Sequence, residues 1–256
     1  HRGIEGARLT PIGRALVTSA RTMEDGALGF IATARGKADE LSGRVRFAAP
    51  PGVAVDLLPV FAAELQAKHA GLRIEARGEV GHVDLARGEA DVAVRTREPR
   101  EPELHEVGSL FATLGIYVSE SYLRTLPACP ELDQLRWVGW APPHEGVPPE
   151  SWVRGQVSDY QPVFVANSFM AQQRAMANGI GAMLLPDVHA YAMPDRPIRL
   201  TLDPGLEGRL PQIRVFVVVA KSAWVSPRVR SVATQFLEWL TALEAEASFK
   251  MNRSQP

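Results

Sequence analysis

The chain has 256 residues, 46% of them apolar and 22% charged, with a formal net charge of −1. That length and composition suit one large or two modest globular domains with a sizeable core, and the near-zero charge excludes a global attraction to nucleic acid, membranes or acidic substrates. Cys129 is the single cysteine, so the chain can form neither an internal disulfide nor a thiolate metal site, and a cytoplasmic location fits best.

No apolar run is long enough to span a bilayer and no signal-peptide pattern opens the sequence, so no membrane partner is expected. The first residues carry Arg2, Arg8, Arg14 and Arg21 against Glu5, a mildly basic start. From Leu9 to about Leu41, apolar or small residues recur at Leu9, Ile12, Leu16, Ala20, Met23, Ala27, Phe30 and Ala34. These spacings mark one stripe along a long helix, with Thr10-Pro11 as its start and Ser42-Gly43 as its stop. Such a helix reaches roughly 45 Å, more than the width of a small domain. Its stripe is expected to pair with a second helix, with Leu16, Ala20, Met23, Ala27 and Phe30 as the dimer seam. Glu24-Asp25 reads as a solvated face.

Beyond Gly43 the pattern becomes strand, helix, strand. Residues 44–49 form a strand, Pro50-Pro51-Gly52 a tight turn, and 53–69 a helix with Val55, Leu58, Phe61, Ala62 and Leu65 inward. Strands at 72–77 and 91–95 flank a short helix at 80–88, and this alternation implies a parallel sheet. After a loop at 96–103, FATLGIYVS (111–119) reads as the strand that leaves the first domain. A second set follows: a Trp-bearing strand near 136–140, strands at 162–166, 182–186 and 198–200, an apolar strand at 213–220, and an amphipathic helix over 226–245. That helix, with Val229, Val232, Ala233, Phe236, Leu237 and Leu240 on one side, is expected to cover the first sheet. The chain is expected to cross out near 117 and back near 219, and 248–256 reads as a frayed tail.

Within VANSFMAQQRAMANGIGAMLLP (165–186), Phe169, Met170, Gln173, Met176 and Ala177 fall near one helical face, and Gly179 stands where a left-handed C-terminal cap is wanted. Asn167 or Ser168 is an ordinary N-cap. The sharper alternative is that the free donors and positive dipole end of this helix hold a small anion. The sequence contains no serine-hydrolase elbow, P-loop, zinc-protease or Cys-x-x-Cys motif. The histidines at 1, 69, 82, 105, 144 and 189 are scattered, and Asp187 and His189 read as surface or capping residues on a short helix. No catalytic residue, metal ligand or cofactor site is expected.

This order of elements resembles the LysR-type transcriptional regulators. LTPIGRAL (9–16) looks like the family's entry into its linker helix, GRVRFAAPPGVAVDLLPVFAAEL (43–65) like its first regulatory strand and helix, and GEADVAVR (88–95) like its G-x-x-D strand. VSESYL (118–123) and NGIGAMLLP (178–186) match later motifs. The resemblance implies an α/β, two-subdomain, periplasmic-binding-protein-like (type II) module preceded by a long linker helix, with a small effector in the cleft between subdomains. The corresponding division is 1–8 remnant of a DNA-binding wing, 9–42 linker helix, 43–116 plus 220–247 subdomain 1, 117–219 subdomain 2, and 248–256 tail.

The resemblance also implies a winged helix-turn-helix, of which HRGIEGAR (1–8) resembles only the end of the wing. Promoter DNA is thus a partner through an N-terminal domain outside this chain, with Arg2 and Arg8 as weak phosphate contacts and a homodimer or homotetramer as the assembly. By resemblance the effector site takes Pro51, Gly52, Val53, Arg95, Thr96, Asn167, Ser168, Phe169 and Phe216, and a carboxylate-bearing effector is expected. The alternative for Arg95 is a partner for Glu98 or Glu101. A solute-binding protein of the same fold, serving a transporter, is the alternative function. It should carry a signal peptide and lack the long helical stripe.

Overall fold

Thr10 starts the first long helix as its spacing suggests, its hydroxyl accepting the Gly13 N–H at 3.0 Å. The computed structural model describes residues 2–3, 6–7, 10–34, 40–79, 83, 85, 88–144, 146 and 148–253, with backbone alone at 2–3, 6–7, 11, 14, 15, 18, 32, 252 and 253. Leu9, Arg8, His82 and most of the helix expected at 80–88 lie outside the described residues.

The chain opens with strands β1 (Arg2–Gly3) and β2 (Gly6–Ala7), helix α1 (Pro11–Ala34) and strand β3 (Gly43–Ala49). A π-helical turn (Val53–Leu57) leads into α2 (Leu58–Lys68), followed by β4 (Leu72–Gly78), β5 (Val92–Arg95), β6 (Leu104–Val118) and the short α3 (Glu120–Leu123). Then come β7 (Val138–Trp140), α4 (Glu150–Gln156), β8 (Phe164–Ala166), α5 (Phe169–Ala177), β9 (Met183–Pro186) and α6 (Asp187–Ala192). The remainder is β10 (Ile198–Arg199), α7 (Pro204–Glu207), β11 (Gln212–Ala220), α8 (Lys221–Trp224) and α9 (Pro227–Arg253).

Two compact units divide the chain: unit 1 takes His1–Ala54, Leu58–Ser109 and Val215–Trp239, and unit 2 takes Val55–Leu57, Leu110–Arg214 and Leu240–Pro256. In unit 1, β3 pairs in parallel with β4 and β5, and β11 runs antiparallel to β5. Phe236 of α9 meets Phe47 at 5.3 Å and Phe61 at 5.1 Å, edge to face, so the last helix covers the sheet with its aromatic side. In unit 2, β6 pairs antiparallel with β9 and β10, while β7 and β8 form a separate parallel pair. Its core gathers Leu114, Ile116, Trp137, Leu184 and Leu200 in one cluster, with Tyr117, Met176, Met183 and Leu185 in a second.

Several elements differ from the sequence pattern, each for a physical reason. Pro51 and Gly52 are not a tight turn but the helical start of the segment, Gly52 having φ −61° and ψ −46°. The wider turn over Val53–Leu57 changes the helical phase, so Val53, Leu57, Leu58, Phe61 and Leu65 are buried and Val55 is exposed. Strand β6 begins at Leu104 rather than 111. Its first half is only partly buried and carries Gly108, where a Cβ would lie 2.5 Å from Leu237 Cδ2, so it lacks the apolar alternation of a strand. Helix α9 continues through Arg253 where a frayed tail was expected from 248, because Ala247 is fully buried and Glu244 accepts the Thr113 N–H at 2.7 Å. Asp25 is no solvated residue: it lies 3.4 Å from Arg228, with its side chain only 11% exposed.

Gly179 behaves as expected. Its φ is +78°, Ile180 N–H donates to Ala175 O at 3.1 Å and Gly179 N–H donates to Met176 O at 2.9 Å, the paired bonds of a Schellman cap. A Cβ here would fall 2.6 Å from Ser121 Oγ. Replacing Gly179 by Ala is therefore expected to destabilise the chain by roughly 1–3 kcal/mol, read as a lower urea midpoint at unchanged slope.

Asp187 is fully buried. The Tyr117 hydroxyl donates to its Oδ1 at 2.7 Å, and Arg199 Nε lies 3.6 Å away. Burial pushes its carboxyl up to about 6, against the pull of Tyr117 and Arg199 and with like charge from Glu244 and Glu207. The folded chain thus holds this proton more tightly than an unfolded carboxyl with a pKa of about 3.9. The resulting stabilisation, up to roughly 3 kcal/mol, is complete below about pH 4 and is lost as pH rises through the folded value. Urea unfolding at pH 4.5 and 7.5 is expected to show the fall in wild type, and Asp187→Asn should remove most of it. An equal fall in the variant would assign it to another group.

Candidate functional site

The residues expected to form a site stand at the carboxyl ends of parallel strands in each unit, the edge where α/β sheets expose helix starts and loops. In unit 1 the register Phe47↔Val92 and Ala48↔Ala93 carries the ends of β3 and β5 to the same edge. β3 hands over there to Pro51, Gly52 and Val53, the last two buried, with Ala54 N–H bonded to Pro50 O at 3.0 Å. β5 ends there at Arg95, and Thr96 beyond it is exposed.

Arg95 is buried and its fork is engaged: Nη1 donates to Glu101 Oε1 at 2.9 Å and Nη2 to Val83 O at 2.8 Å. The partner weighed for it from sequence, Glu101, is the one it has. Phe216 stands opposite Arg95 in the β11–β5 register and is buried in unit 1.

In unit 2 the parallel pair β7 and β8 ends at Trp140 and Ala166, and Asn167 and Ser168 follow, both exposed, before α5. Ser168 is the N-cap: its hydroxyl accepts Ala171 N–H at a long 3.4 Å, and its carbonyl accepts Gln172 N–H at 3.1 Å. A cap bond of that length holds its donor weakly. The Phe169 ring stacks on Trp140 with centroids 6.4 Å apart and meets His189 edge-on at 5.8 Å. Trp140 also meets His144, at 6.0 Å.

Beneath these rings lies a set of buried polar groups, most of which the sequence pattern did not single out. Gln172 Nε2 donates to Ala166 O at 2.8 Å, tying α5 to the end of β8. Gln173 Nε2 donates to Asp56 Oδ2 at 2.8 Å, and His189 Nδ1 lies 3.0 Å from the same oxygen. Asp56 belongs to the π-helical turn, in the segment Val55–Leu57 that unit 2 takes in. Glu150 accepts the backbone N–H of Trp140. Burial pushes the Glu150 carboxyl up, and the Trp140 N–H and Arg154 only partly offset it.

His189 and Asp187 are thus buried residues of α6 rather than surface groups, and the inward face of α5 is Gln172, Gln173, Ala175 and Met176, with Met170 exposed. Gln173 and Met176 lie on the face that the sequence pattern picks out, whereas Gln172 and Ala175 extend it and Met170 departs from it.

The remaining expected residues sit on α1 and the N-terminus. Leu16, Ala20, Met23, Ala27 and Phe30 are all exposed in the single chain. Arg8 and the side chain of Arg2 lie outside the described residues. Among the described residues no group of three or more His, Cys, Asp or Glu could hold a metal ion, and no helix is long and apolar enough to cross a membrane. The start of α5 presents exposed residues beside aromatic faces, supported by buried polar bonds.

A family model for the LysR substrate binding domain matches residues 38–241. Among solved structures, the chain is similar to the regulatory domain of CrgA, a LysR-type transcriptional regulator from Neisseria meningitidis. The identity is 19% and the TM-score 0.64, over 78% of this chain and 100% of that one. A full-length OxyR variant from Pseudomonas aeruginosa is similar at 17% identity and a TM-score of 0.60, over 92% of this chain and 78% of that one. A search of curated proteins by sequence found no significant match. The family model covers well over half of the chain, which therefore belongs to the LysR substrate-binding domain family: it is the effector-binding domain of a LysR-type transcription regulator, with the mixed α/β, type II periplasmic-binding-protein-like fold and helix α1 ahead of it.

Proposed function

We propose that this domain senses a small carboxylate-bearing effector and passes its occupancy, through α1 and a homo-oligomer, to DNA-binding heads at a promoter in the cytoplasm. The observation that carries the effector reading is the start of α5. Asn167 and Ser168 are exposed there, the cap bond is long at 3.4 Å, and Phe169 stacks on Trp140 beside it. A helix of nine residues presents first-turn N–H groups and a positive dipole end to an anion, and the rings offer a face to an apolar body. In unit 1, Pro51, Gly52, Val53, Arg95, Thr96 and Phe216 are proposed as further effector-binding residues. Arg95 acts by holding Glu101 and Val83 in place, so recognition of the effector's charge rests on α5. The ligand shifts the assembly only by its differential affinity for two arrangements, typically about 1–3 kcal/mol.

The oligomer reading rests on α1, whose Leu16, Met23 and Phe30 are 63%, 75% and 76% exposed along one stripe. Large side chains so aligned need a covering surface in water, and the same stripe on a second copy is the matching one. A solute-binding protein of this fold has no use for such a helix, and the family match favours the regulator.

Thermal-shift screening against a panel of aliphatic and aromatic monocarboxylates should find a stabilising ligand. Ser168→Ala is then expected to weaken its binding about tenfold by titration calorimetry while lowering stability by only about 1 kcal/mol or less. An unaltered affinity with a large stability loss would assign Ser168 to capping alone. Phe30→Glu is expected to shift the light-scattering mass toward the monomer, and an unchanged mass would place the seam elsewhere.

A further inference from the structure

Helix α1 contributes no described side chain to the buried apolar core. Its stripe is open to solvent, and ion pairs are among the contacts made by its other side. On the far side of the helix, Arg21, Glu24, Asp25 and Leu28 follow the i, i+3, i+4, i+7 spacing of a single face. Arg21 Nη2 lies 2.8 Å from Asp91 Oδ1, an oxygen shared with Arg46 Nη2 at 2.8 Å. One turn on, Arg228 Nη2 lies 2.9 Å from Glu24 Oε2 and 3.4 Å from Asp25 Oδ1.

Arg228 reaches α1 from the start of α9 by lying across Gly43. That residue has φ +96°, and a Cβ there would fall 2.0 Å from Arg228 Nη1 and 2.8 Å from Leu28 Cδ1. Arg228 Nη1 also donates to Ser42 O at 3.3 Å, at the end of the segment that joins α1 to β3. The side chains of Asp91, Arg228 and Asp25 are 7%, 8% and 11% exposed, so the Arg21–Asp91 and Arg228–Asp25 pairs are sheltered, whereas Glu24 is 56% exposed. An open hollow of about 340 Å³ beside them, lined in part by Val17, Arg21, Arg46 and Arg228, admits water and small ions to the contacts.

We propose that Arg21–Asp91 and Arg228–Glu24/Asp25 form a two-point ionic clamp that sets how α1 docks and is rotated on unit 1, making this junction a salt-sensitive joint. One residue of helical rotation is about 100°, enough to break both contacts together, so the clamp selects the direction in which the Leu16–Phe30 stripe is presented. Asp91 immediately precedes β5, whose other end is Arg95. A shift of that strand therefore acts directly on the clamp.

The test is hydrogen–deuterium exchange of the whole chain as wild type, Arg228→Met and Arg21→Gln, each at about 0.05 and 0.5 M NaCl, where the screening length falls by roughly threefold. Arg228→Met should speed exchange of the 17–28 amides about tenfold or more, leaving β3 and β11 unchanged. Salt should do the same to wild type and add little in the variant. Arg21→Gln, which leaves Arg46 on Asp91, should give a smaller rise confined to α1. Unchanged α1 exchange in Arg21→Gln and across salt overturns the proposal. If Arg228→Met loosens all of unit 1, Arg21→Gln and the salt series decide alone.

Discussion

Asp91 is the buried charge on which the arrangement of unit 1 depends. Its carboxylate accepts the Arg46 backbone N–H at 2.9 Å and two guanidinium bonds from the same residue at 3.2 and 2.8 Å, while its own N–H donates to Arg46 O at 2.8 Å. Burial pushes this carboxyl up, but the Arg46 bonds and the Arg21 charge more than offset it, leaving it below the usual carboxylate range. An ion so enclosed tolerates a single arrangement, because slipping β5 against β3 by one residue would separate it from Arg46. The parallel register Phe47↔Val92 follows. So do the positions of Pro51 and Arg95 at the opposite edge. An anchor at one end of the strands thereby places Pro51 and Arg95 at the other.

Unit 2 repeats this logic with different residues. Glu150 holds the Trp140 N–H at the end of β7, and a Cβ on the preceding Gly139 would lie 2.8 Å from Glu150 Oε1, so the strand and the carboxylate are fitted to each other. Gln172 holds the end of β8, and Asp56 gathers Gln173 and His189. Each of these bonds leaves a buried polar atom satisfied, which is the condition for keeping it away from water. Their joint effect is to fix the first turn of α5 and the Trp140–Phe169 pair from beneath. Asn167 and Ser168 at that helix start remain exposed.

The sequence was most readable where apolar periodicity and chain direction agree. The strands β3, β4, β5, β8, β9 and β11, the cap at Thr10, the Schellman glycine Gly179 and the covering helix with Phe236 all carry local signals of that kind. What escaped was polar residues doing inward work. Asp187, His189 and Asp25 belong to types that usually face water, and each is largely covered where a distant partner meets it. Such partners lie far along the chain, as Asp56 does from His189, and no local pattern announces them. The π-helical turn escaped for a related reason: one extra residue in a turn leaves every propensity intact and changes only the phase, so Val55 was assigned to the wrong side. Of the candidate site, the helix start at 167–169 was legible, whereas its supporting bonds from Asp56, Glu150 and His189 were not.

Charge is used differently at the two ends of unit 1, and this explains why Arg95 is a poor bare cation for an effector. At the carboxyl end of β5, Arg95 is paired with Glu101 and bonded to Val83 O. At the other end, Arg21 and Arg228 also have carboxylate partners, but those partners sit on different elements, which makes the same kind of ion pair a joint instead of a brace. An ion pair within one sheet and its neighbouring loop stiffens what apolar packing has already assembled. The ion pairs of α1 instead join it to residues on other elements of unit 1. On the proposed clamp, α1 can shift on its docking surface while the apolar interior of unit 1 stays closed.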